Sequence, residues 1–405
     1  MLGFLQWGLT TAASFLFVLT IVVTVHELGH FWVAKACGVA IDRFSIGFGR
    51  AIARWRDRDG VEWRIGWMPL GGYVRFAGDD NAASLPDGDD LEAMRARIIE
   101  REGPSAVQRY YHFKPIWQRA AVAAAGPFAN FLLAIVLFAV LLMTVGEVKP
   151  PARVDGVASG SPAAAAGFQA GDIVLKADGR PVDSFVDLQQ VVALRAGAAT
   201  EFLVKRGERE LVLTATPRRQ TIVDRIGGEQ RVGVLGLQSQ PRVEDYERHR
   251  YGPVEALAGG VKRTWHVLDT TLYYLGRLVT GQENADQLGG PLRIAQTSAA
   301  VAQVGAEGAH GLGEILLGSG VALLGLVAVL SVGIGFMNLL PVPVLDGGHL
   351  LFYAYEAVAR RPLDARIQAA GYRVGLALLV GLMLFATWND LQQLRVFKIL
   401  GGLLS

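Results

Sequence analysis

Four long stretches without a charged side chain constrain the fold of this chain more than any other feature. They cover residues 1–25, 120–146, 315–345 and 374–389. An α-helix needs about 20 consecutive apolar residues to cross the hydrocarbon core of a bilayer. The first three stretches meet that length, and the fourth meets it if its ends reach the lipid headgroups. We therefore expect four transmembrane helices, over about 5–34, 118–145, 314–341 and 371–391.

The first stretch has one alternative interpretation, a cleaved signal peptide. It has no basic region at its start, and no small-residue cleavage site separates it from His26. A secretory signal normally has both a basic region and such a cleavage site. A retained first transmembrane helix is therefore the favoured interpretation.

The composition agrees with a membrane protein and excludes several other classes. Hydrophobic residues make up 51% of the 405 residues, and charged residues make up only 19%. Such a chain is not intrinsically disordered, and its net charge of +2 gives no reason to expect a nucleic-acid partner. The single cysteine, Cys37, rules out an intrachain disulfide and a cysteine-based zinc finger.

The basic residues of the loops predict the orientation, because cytoplasmic loops of membrane proteins are enriched in Lys and Arg. Residues 35–119 are rich in arginine, and the loop before the fourth helix carries further arginines. We therefore place both loops in the cytoplasm, and the segment 147–314 and both termini outside. Arg395 and Lys398 in the C-terminal tail count mildly against this arrangement.

The cytoplasmic loop, residues 35–117, contains two features of its own. Met68–Phe76 is an extended segment with two glycines, which predicts a turn-rich hairpin. Residues 79–92 contain many Asp residues together with Pro and Gly, and they are expected to form a solvated loop.

Short strand and turn signals fill residues 150–217, which predicts a compact domain between the second and third transmembrane helices. Strands are expected over 153–157, 173–177, 201–205 and 210–214, and helices over 163–166 and 182–194. The stretch SPAAAAGFQAGDIVLKADGRPVDSFVDL resembles the helix–GD–strand–DG pattern of bacterial PDZ domains, a family that binds extended peptide ends. A peptide end is thus a candidate partner. The alternative is a spacer domain without a functional groove.

Residues 218–313 are expected to form a connector that contains one amphipathic helix, over about 252–280. The helix is rich in Ala and Leu and contains Trp265, Tyr273 and Tyr274. Helices of this kind commonly pack on the membrane surface. We therefore expect it to contact the bilayer from outside.

The sharpest chemical signal is His26-Glu27-Leu28-Gly29-His30, at the end of the first apolar stretch. Residues four apart share one face of a helix, so the two imidazoles can bind one Zn²⁺ ion at about 2.0–2.1 Å each. Glu27 is rotated by about 100° around the helix, which places its carboxylate where it can take a proton from an attacking water. Ionisable residues in a long uncharged helix are costly and usually functional. The alternative is a helix end whose polar side chains are simply solvated.

A second signal ends the third apolar stretch, in the sequence NLLPVPVLDGGH at 338–349. Two prolines break the helix there, just ahead of Asp346. Catalytic zinc usually has three protein ligands and one open position, so Asp346 is the natural third ligand beside His26 and His30. A helix N-cap facing water is the alternative for this aspartate. His349 is a competing ligand, for which a supporting or structural role is favoured.

Together these motifs resemble the site-2 protease family of intramembrane zinc metalloproteases, in particular its bacterial regulator-of-sigma-E group. HELGH is similar to the zinc motif of the family, and residues 338–347 are similar to its N-x-x-P-x-x-x-x-D-G motif. Further similar stretches are FSIGFGR (44–50), MPLGGYVRFAGD (68–79), the G-x-x-x-N sequence GPFAN (126–130) and GGPLRIAQ (289–296). The resemblance covers nearly the whole chain. It departs at one point: the best-known members of the group carry two PDZ domains, and this sequence shows one.

The resemblance implies a polytopic α-helical protein of the bacterial inner membrane, with four transmembrane helices and an inserted α+β PDZ-like domain in the periplasm. Residues 1–146 and 314–405 would form the membrane core, with one Zn²⁺ ion near the cytoplasmic face. The implied activity is hydrolysis of peptide bonds within transmembrane segments of single-span membrane proteins, after a first extracytoplasmic cut. An anti-sigma factor or a leftover signal peptide would be a suitable substrate, and the PDZ-like domain would exclude untrimmed ones.

For individual residues, the resemblance implies that Asn130 and Asn338 contact the substrate backbone or the oxyanion. It also implies that Gly71, Gly72 and Tyr73 lie in a membrane-associated hairpin that pairs with an unwound substrate strand. Hydrogen bonding between transmembrane helices is the alternative for both asparagines. A plain cytoplasmic hairpin is the alternative for the three hairpin residues.

Two other functional classes stay open at this point. One is a non-catalytic membrane adaptor that collects partners with its PDZ-like domain, which the intact zinc-site residues disfavour. The other is a metal transporter, which would need further polar residues in the second and fourth transmembrane helices. Those helices offer few.

Overall fold

The computed structural model describes residues 2–78, 88–147, 151–223, 229–240, 249–281 and 289–393. The chain divides into two compact units, each built from several segments. The first comprises Met1–Val140, Leu257–Tyr273 and Leu288–Asp390, and the second comprises Leu141–Ala256, Tyr274–Gln287 and Leu391–Ser405.

Helices predominate in the part of the chain that the structure describes. In chain order they are α1 (Leu2–Ala36), α2 (Gly88–Glu102), α3 (Ile116–Thr144), α4 (Pro162–Ala165), α5 (Phe185–Leu194), α6 (Pro253–Val279), α7 (Pro291–Ala306), α8 (Leu312–Leu339), α9 (Asp346–Ala359) and α10 (Ala365–Gln393). The strands are β1 (Ile41–Arg56), β2 (Glu62–Phe76), β3 (Gly156–Val157), β4 (Ile173–Ala177), β5 (Arg180–Pro181), β6 (Thr200–Arg206), β7 (Arg209–Ala215), β8 (Arg218–Val223), β9 (Glu229–Val234) and β10 (Leu237–Gln238).

Four of these helices, α1, α3, α8 and α10, are long and apolar enough to cross a membrane, which confirms the four apolar helices expected from the sequence. The bounds of the first three differ from the expected ones by a few residues. The fourth begins at Ala365 rather than near 371, because the helix extends back through Arg366, which lies outside the predicted span.

The first helix packs against α7 and α8. Val18 and Val22 of α1 are buried together with Ala302 of α7 and with Leu323 and Val327 of α8. Lipid tails are as apolar as these side chains, so such contacts depend on close van der Waals fit. This packing holds α1 against α7 and α8.

α1 also crosses α3 at Gly29, in the middle of the HELGH sequence. A Cβ at this position would lie 2.4 Å from Ala125 O and 2.7 Å from Ala129 Cβ. Only glycine therefore allows the two helices to approach so closely. The crossing brings α3 directly beside the two histidines.

β1 and β2 form a hairpin that folds back on itself and contains the segment Met68–Phe76. Residues 43–46 of β1 lie between 62–65 and 72–75 of β2, and residues 53–56 pair with the outer side of 62–65. The segment 72–75 is thus at one edge of this small sheet, and no further strand of the described residues pairs with it.

The solvated loop predicted over 79–92 is wrong in its last part. α2 begins at Gly88, so residues 88–92 are helical. Residues 79–87 lie outside the described residues.

The second unit contains a four-stranded antiparallel sheet in the order β5-β4-β6-β7. Its core includes Phe168, Val174, Leu188 of α5 and Phe202. Leu235 is buried in the same core, and β10 pairs with β3. Residues beyond 217 therefore complete this β-rich unit.

Two element bounds predicted for the β-rich unit are wrong. The helix predicted over 182–194 begins only at Phe185, because the Ser184 hydroxyl accepts a hydrogen bond from Asp187 N and caps the helix there. The strand predicted over 153–157 is reduced to Gly156–Val157, since its partner β10 is only two residues long.

α6 occupies the position of the amphipathic helix predicted over 252–280. Its Gly260 lies so close to α3 that a Cβ would be 2.4 Å from Ile135 O. Val267 and Leu268 pack against the core formed by α3 and α8, whereas Trp265 is 64% exposed. The helix thus lies against the apolar helices, and its contact with the membrane surface stays a prediction.

Candidate metal centre

The two histidines of the HELGH sequence lie one turn apart on α1. Their rings meet edge to face, with centroids 4.8 Å apart and planes at 84°. The Nε2 atoms of His26 and His30 are 3.3 Å apart, and His26 is only 8% exposed. Both imidazoles therefore present the same nitrogen to one point, as their spacing on a helix predicts.

Asp346 reaches the same point from the first turn of α9. Its Oδ2 lies 3.2 Å from His26 Nε2 and 3.5 Å from His30 Nε2. The chain turns sharply here, since a Cβ at Gly347 would lie 2.3 Å from Leu339 O. The glycine after the aspartate is thus required for α9 to start against the end of α8.

The three ligand atoms of His26, His30 and Asp346 form a nearly regular triangle with sides of 3.2, 3.3 and 3.5 Å. Tetrahedral zinc with bonds of about 2.0–2.1 Å places its ligand atoms about 3.3 Å apart, so the triangle has the size that zinc requires. Asp346 Oδ2 is buried and makes no hydrogen bond of good geometry within the described part of the chain. Two imidazoles and a carboxylate with such an oxygen fit a catalytic zinc site.

α3 forms the wall behind the histidines. A Cβ at Gly126 would lie 2.3 Å from His30 Nε2 and 2.8 Å from His26 Cε1, so this glycine leaves the space that the rings occupy. Val122 O lies 2.8 Å from His30 Nδ1, and the Asn130 amide lies 3.3 Å from His26 Nδ1. These three α3 residues are spaced by four, so they share one face of the helix.

Glu27 lies beside the edge of the hairpin. The Val74 backbone interacts electrostatically with its carboxylate. A Cβ at Gly72 would lie 3.1 Å from Glu27 Cγ and 2.8 Å from Ser45 O. Gly72 therefore allows β2 to pass close to this carboxylate.

Gly71 and Tyr73, which flank Gly72, pack against Phe48 of β1. A Cβ at Gly71 would lie 2.3 Å from Phe48 Cε2, and the Tyr73 ring stacks on the Phe48 ring with centroids 6.2 Å apart. Arg43 donates a hydrogen bond of 3.4 Å to the Tyr73 hydroxyl. These contacts hold the edge of the hairpin in shape beside Glu27.

Asn338 and His349, both candidates from the sequence, contact other groups. Asn338 Nδ2 donates to Ile334 O, one turn earlier in α8, at 3.1 Å. The Tyr372 hydroxyl lies 2.7 Å from His349 Nε2, and His349 is outside the ligand triangle. Burial lowers the pKa of His349, which favours the neutral ring that can accept this hydrogen bond. His349 thus links α9 to α10.

Sequence reasoning missed two contributions of α3 to this centre. The Val122 carbonyl belongs to the backbone, so no side chain signals its role. Gly126 is the first residue of the G-x-x-x-N sequence. The spacing in that sequence was the one signal that could have indicated its role beside the histidines.

Comparison with known proteins agrees with this geometry. The profile of Peptidase family M50 matches residues 14–382, a range that contains all three candidate ligands. "Metalloprotease MmpA" of Caulobacter vibrioides is 54% identical over 405 residues, which is 100% of both chains. "Regulator of sigma-E protease RseP" of Escherichia coli (strain K12) is 30% identical over 491 residues, covering 97% of this chain and 100% of the relative. A relative from Agrobacterium fabrum, whose name contains the words zinc metalloprotease, is 42% identical over 380 residues, or 94% of this chain and 95% of the relative.

The family match and the four apolar helices together describe a multi-pass inner-membrane enzyme that uses zinc. The match covers most of the chain, and the relatives are matched over nearly their full lengths. This chain therefore belongs to peptidase family M50, the site-2 protease family of zinc metalloproteases.

Proposed function

We propose that this enzyme hydrolyses peptide bonds within the transmembrane segments of single-span membrane proteins. His26, His30 and Asp346 hold the zinc ion, and Glu27 is the general base. The single observation that carries the proposal is the ligand triangle of 3.2–3.5 Å beside a carboxylate on the same helix. Proteases of the sigma-E type act on membrane proteins within the bilayer, which agrees with this site.

In the proposed reaction, the ligand triangle and Glu27 have different roles. His26, His30 and Asp346 would hold the zinc ion, which would supply Lewis acidity to the scissile carbonyl and lower the pKa of a water molecule. Glu27 follows His26 on the helix and lies outside the triangle, so its carboxylate can take the proton of that water and return it to the leaving amine.

The edge of the hairpin is the proposed binding site for the substrate backbone. A transmembrane helix must unwind before its peptide bonds can be attacked, and unwound backbone groups need new partners inside the membrane. Residues 72–74 pair with 44–46 on one side, and an extended substrate can add as the next strand. Because Gly72 lies beside Glu27, a strand bound there would meet the general base.

Asn338 is the proposed donor to the oxyanion. One hydrogen of its amide is bonded to Ile334 O, and a carboxamide has a second hydrogen to donate. A transition state that develops charge on the carbonyl oxygen needs such donors in addition to the metal.

We further propose that the metal centre lies near the cytoplasmic face and that the β-rich unit is a periplasmic PDZ-like domain. The arginine-rich segment between α1 and α3 supports this orientation, because His26 and His30 lie towards the same end of α1. The antiparallel sheet and α5 agree with the PDZ-like pattern of the sequence. This domain would bind a peptide end and exclude substrates with bulky outside domains until another protease has trimmed them. An anti-sigma factor or a leftover signal peptide would be a suitable substrate.

Zinc analysis and a cleavage assay on detergent-purified protein test the proposed function. The substrate is a single-span protein already shortened on its outer side. We expect Glu27→Gln to keep its zinc and to lose about 10²–10⁴-fold in rate, because it removes the general base and no ligand. Glu100→Gln, which alters an exposed carboxylate of α2, is the matched control and should cleave normally. Normal cleavage by Glu27→Gln would reject Glu27 as the general base, whereas wild-type protein that fails to cleave the shortened substrate would overturn the proposed activity and favour a non-catalytic adaptor.

A further inference from the structure

α3 provides a hydrogen-bond partner for the outer nitrogen of each histidine. At His30, Nδ1 lies 2.8 Å from the Val122 carbonyl oxygen, which can only accept. At His26, Nδ1 lies 3.3 Å from the side-chain amide of Asn130. Val122 and Asn130 are two turns apart on one face of α3, with Gly126 between them. Each histidine Nδ1 therefore has a contact with a residue on the same face of α3.

The chemistry of the ligands decides which way each of these hydrogen bonds runs. Both histidines direct Nε2 into the ligand triangle, so Nε2 carries the lone pair for the metal and Nδ1 carries the hydrogen. An Nδ1–H group needs an acceptor. Val122 O meets that need for His30, and His26 requires an oxygen at the corresponding place.

The Asn130 side chain has such an oxygen, and that oxygen lacks a partner. Asn130 is 0% exposed, and its Oδ1 is buried without a hydrogen bond to any residue that the structure describes. The two ends of a carboxamide have nearly the same shape, so a half-turn about the terminal side-chain bond exchanges oxygen and nitrogen in place. That exchange gives the His26 Nδ1–H an acceptor and gives the orphaned oxygen a donor.

We propose that Asn130 is a positioning residue for the metal centre: its Oδ1 accepts a hydrogen bond from His26 Nδ1–H and fixes the tautomer and the ring plane of that ligand. The inference rests on the proposed function in one respect, that His26 binds the metal through Nε2. Partners of this kind are commonly as important to a metal site as its direct ligands.

The packing around Asn130 buries it against α8. Ser331 Oγ of α8 donates to the Asn130 backbone oxygen at 2.9 Å. A Cβ at Gly335 of α8 would lie only 3.2 Å from Asn130 Cβ. The side chain of Asn130 is therefore enclosed between α1 and α8, with the His26 ring within hydrogen-bonding reach.

Zinc affinity of the full-length protein in detergent, measured by competition with a chromophoric chelator, tests this role. Asn130→Leu keeps the size of the side chain and removes the acceptor, so we expect zinc to bind about 10–100-fold more weakly. Asn130→Asp keeps an acceptor and should bind zinc at or above the wild-type affinity. Ser331→Ala removes the bond to the Asn130 backbone without touching its amide, and should leave the affinity unchanged.

A second measurement records the visible spectrum of the cobalt(II)-loaded protein, which reports the ligand geometry. We expect an altered spectrum for Asn130→Leu and the wild-type spectrum for Asn130→Asp and Ser331→Ala. If the leucine variant does not fold, Asn130→Ala replaces it, since a smaller side chain fits the same enclosure.

Wild-type zinc affinity together with a wild-type cobalt spectrum in Asn130→Leu or Asn130→Ala would overturn the inference. Loss of cleavage in such a variant, with zinc retained, would assign Asn130 to substrate binding instead. The test is independent of the one on Glu27. Weakened zinc binding in Asn130→Leu combined with normal cleavage by Glu27→Gln would support the positioning role and reject the proposed general base.

Discussion

The substitution Gly126→Ala tests the metal centre through a position that binds nothing itself. The added methyl carbon would lie 2.3 Å from His30 Nε2 and 2.7 Å from His30 Cε1. An ordinary non-bonded contact between such atoms is about 3.5 Å, so the ring of His30 has to move by roughly 1 Å. Metal–ligand distances tolerate only about 0.2 Å of change. The substitution should therefore remove one of the three ligands from its place.

The expected consequence is a large loss of zinc affinity. Removing a supporting hydrogen bond from a metal ligand already costs about 10–100-fold, and displacing the ligand itself should cost at least the upper value. A factor of 100 corresponds to about 2.8 kcal/mol of binding free energy. Cleavage should be lost in parallel, because the remaining ligands hold the metal too weakly.

The assay compares zinc content and chelator competition in wild type, Gly126→Ala and Gly333→Ala. Gly333 lies inside α8, and a Cβ there would have no neighbour within 4 Å, so this variant controls for adding a methyl group to a transmembrane helix. Because Gly126 precedes Pro127, circular dichroism of each variant is recorded to verify the helical content. Wild-type zinc affinity in Gly126→Ala would show that α3 does not confine the histidine rings, and would refute the reasoning.

Two further changes separate catalysis from metal binding and test the β-rich unit. Gly72→Val should slow cleavage by roughly 10²-fold while zinc content stays normal, because its Cβ would lie 2.8 Å from Ser45 O and 3.1 Å from Glu27 Cγ and so displaces the hairpin edge and the general base but no ligand; loss of zinc would contradict this. Asp172→Asn should lower the free energy of opening of β4 and β6, measured by hydrogen exchange, by on the order of 2 kcal/mol, since Asp172 is fully buried and bonded to Arg206. Burial acts to raise the pKa of Asp172, but Arg206 and the Gln169 N–H outweigh it and hold the pKa below its ordinary value. The stabilisation should be complete above about pH 4 and disappear as the pH falls through the lowered folded-state pKa, and equal protection in wild type and Asp172→Asn at neutral pH would contradict it.

Features that depend on residues close together in the chain could be predicted from the sequence. The count of apolar helices follows from run lengths, because crossing a bilayer sets a minimum length for each helix. The shared face of His26 and His30 follows from the helical repeat alone. Asp346 is remote in the chain, and it was predicted as the third ligand because catalytic zinc usually has three protein ligands and this carboxylate ends another long apolar run.

Other features required the tertiary structure, because they depend on distances between segments remote in the chain. The contribution of Leu235 to the β-rich core was missed, since nothing local links it to strands before residue 217. The start of α5 at Phe185 depended on a cap by Ser184 rather than on the apolar pattern. His349 was a possible ligand because it lies close to Asp346 in the sequence. In the structure, its ring is hydrogen-bonded to the Tyr372 hydroxyl.

The division between the two kinds of information is clearest at the metal centre. The sequence by itself determined the candidates for the chemistry on α1, since the types and spacing of His26, Glu27 and His30 are set by a few adjacent residues. Only the tertiary structure decided how they are held: Gly29 lets α3 approach, Gly126 makes room for the rings, and Val122 and Asn130 reach the outer nitrogens. The physical reason is that close packing depends on how two helices fit together, and the local sequence of either helix does not specify which atoms of the other helix it will contact.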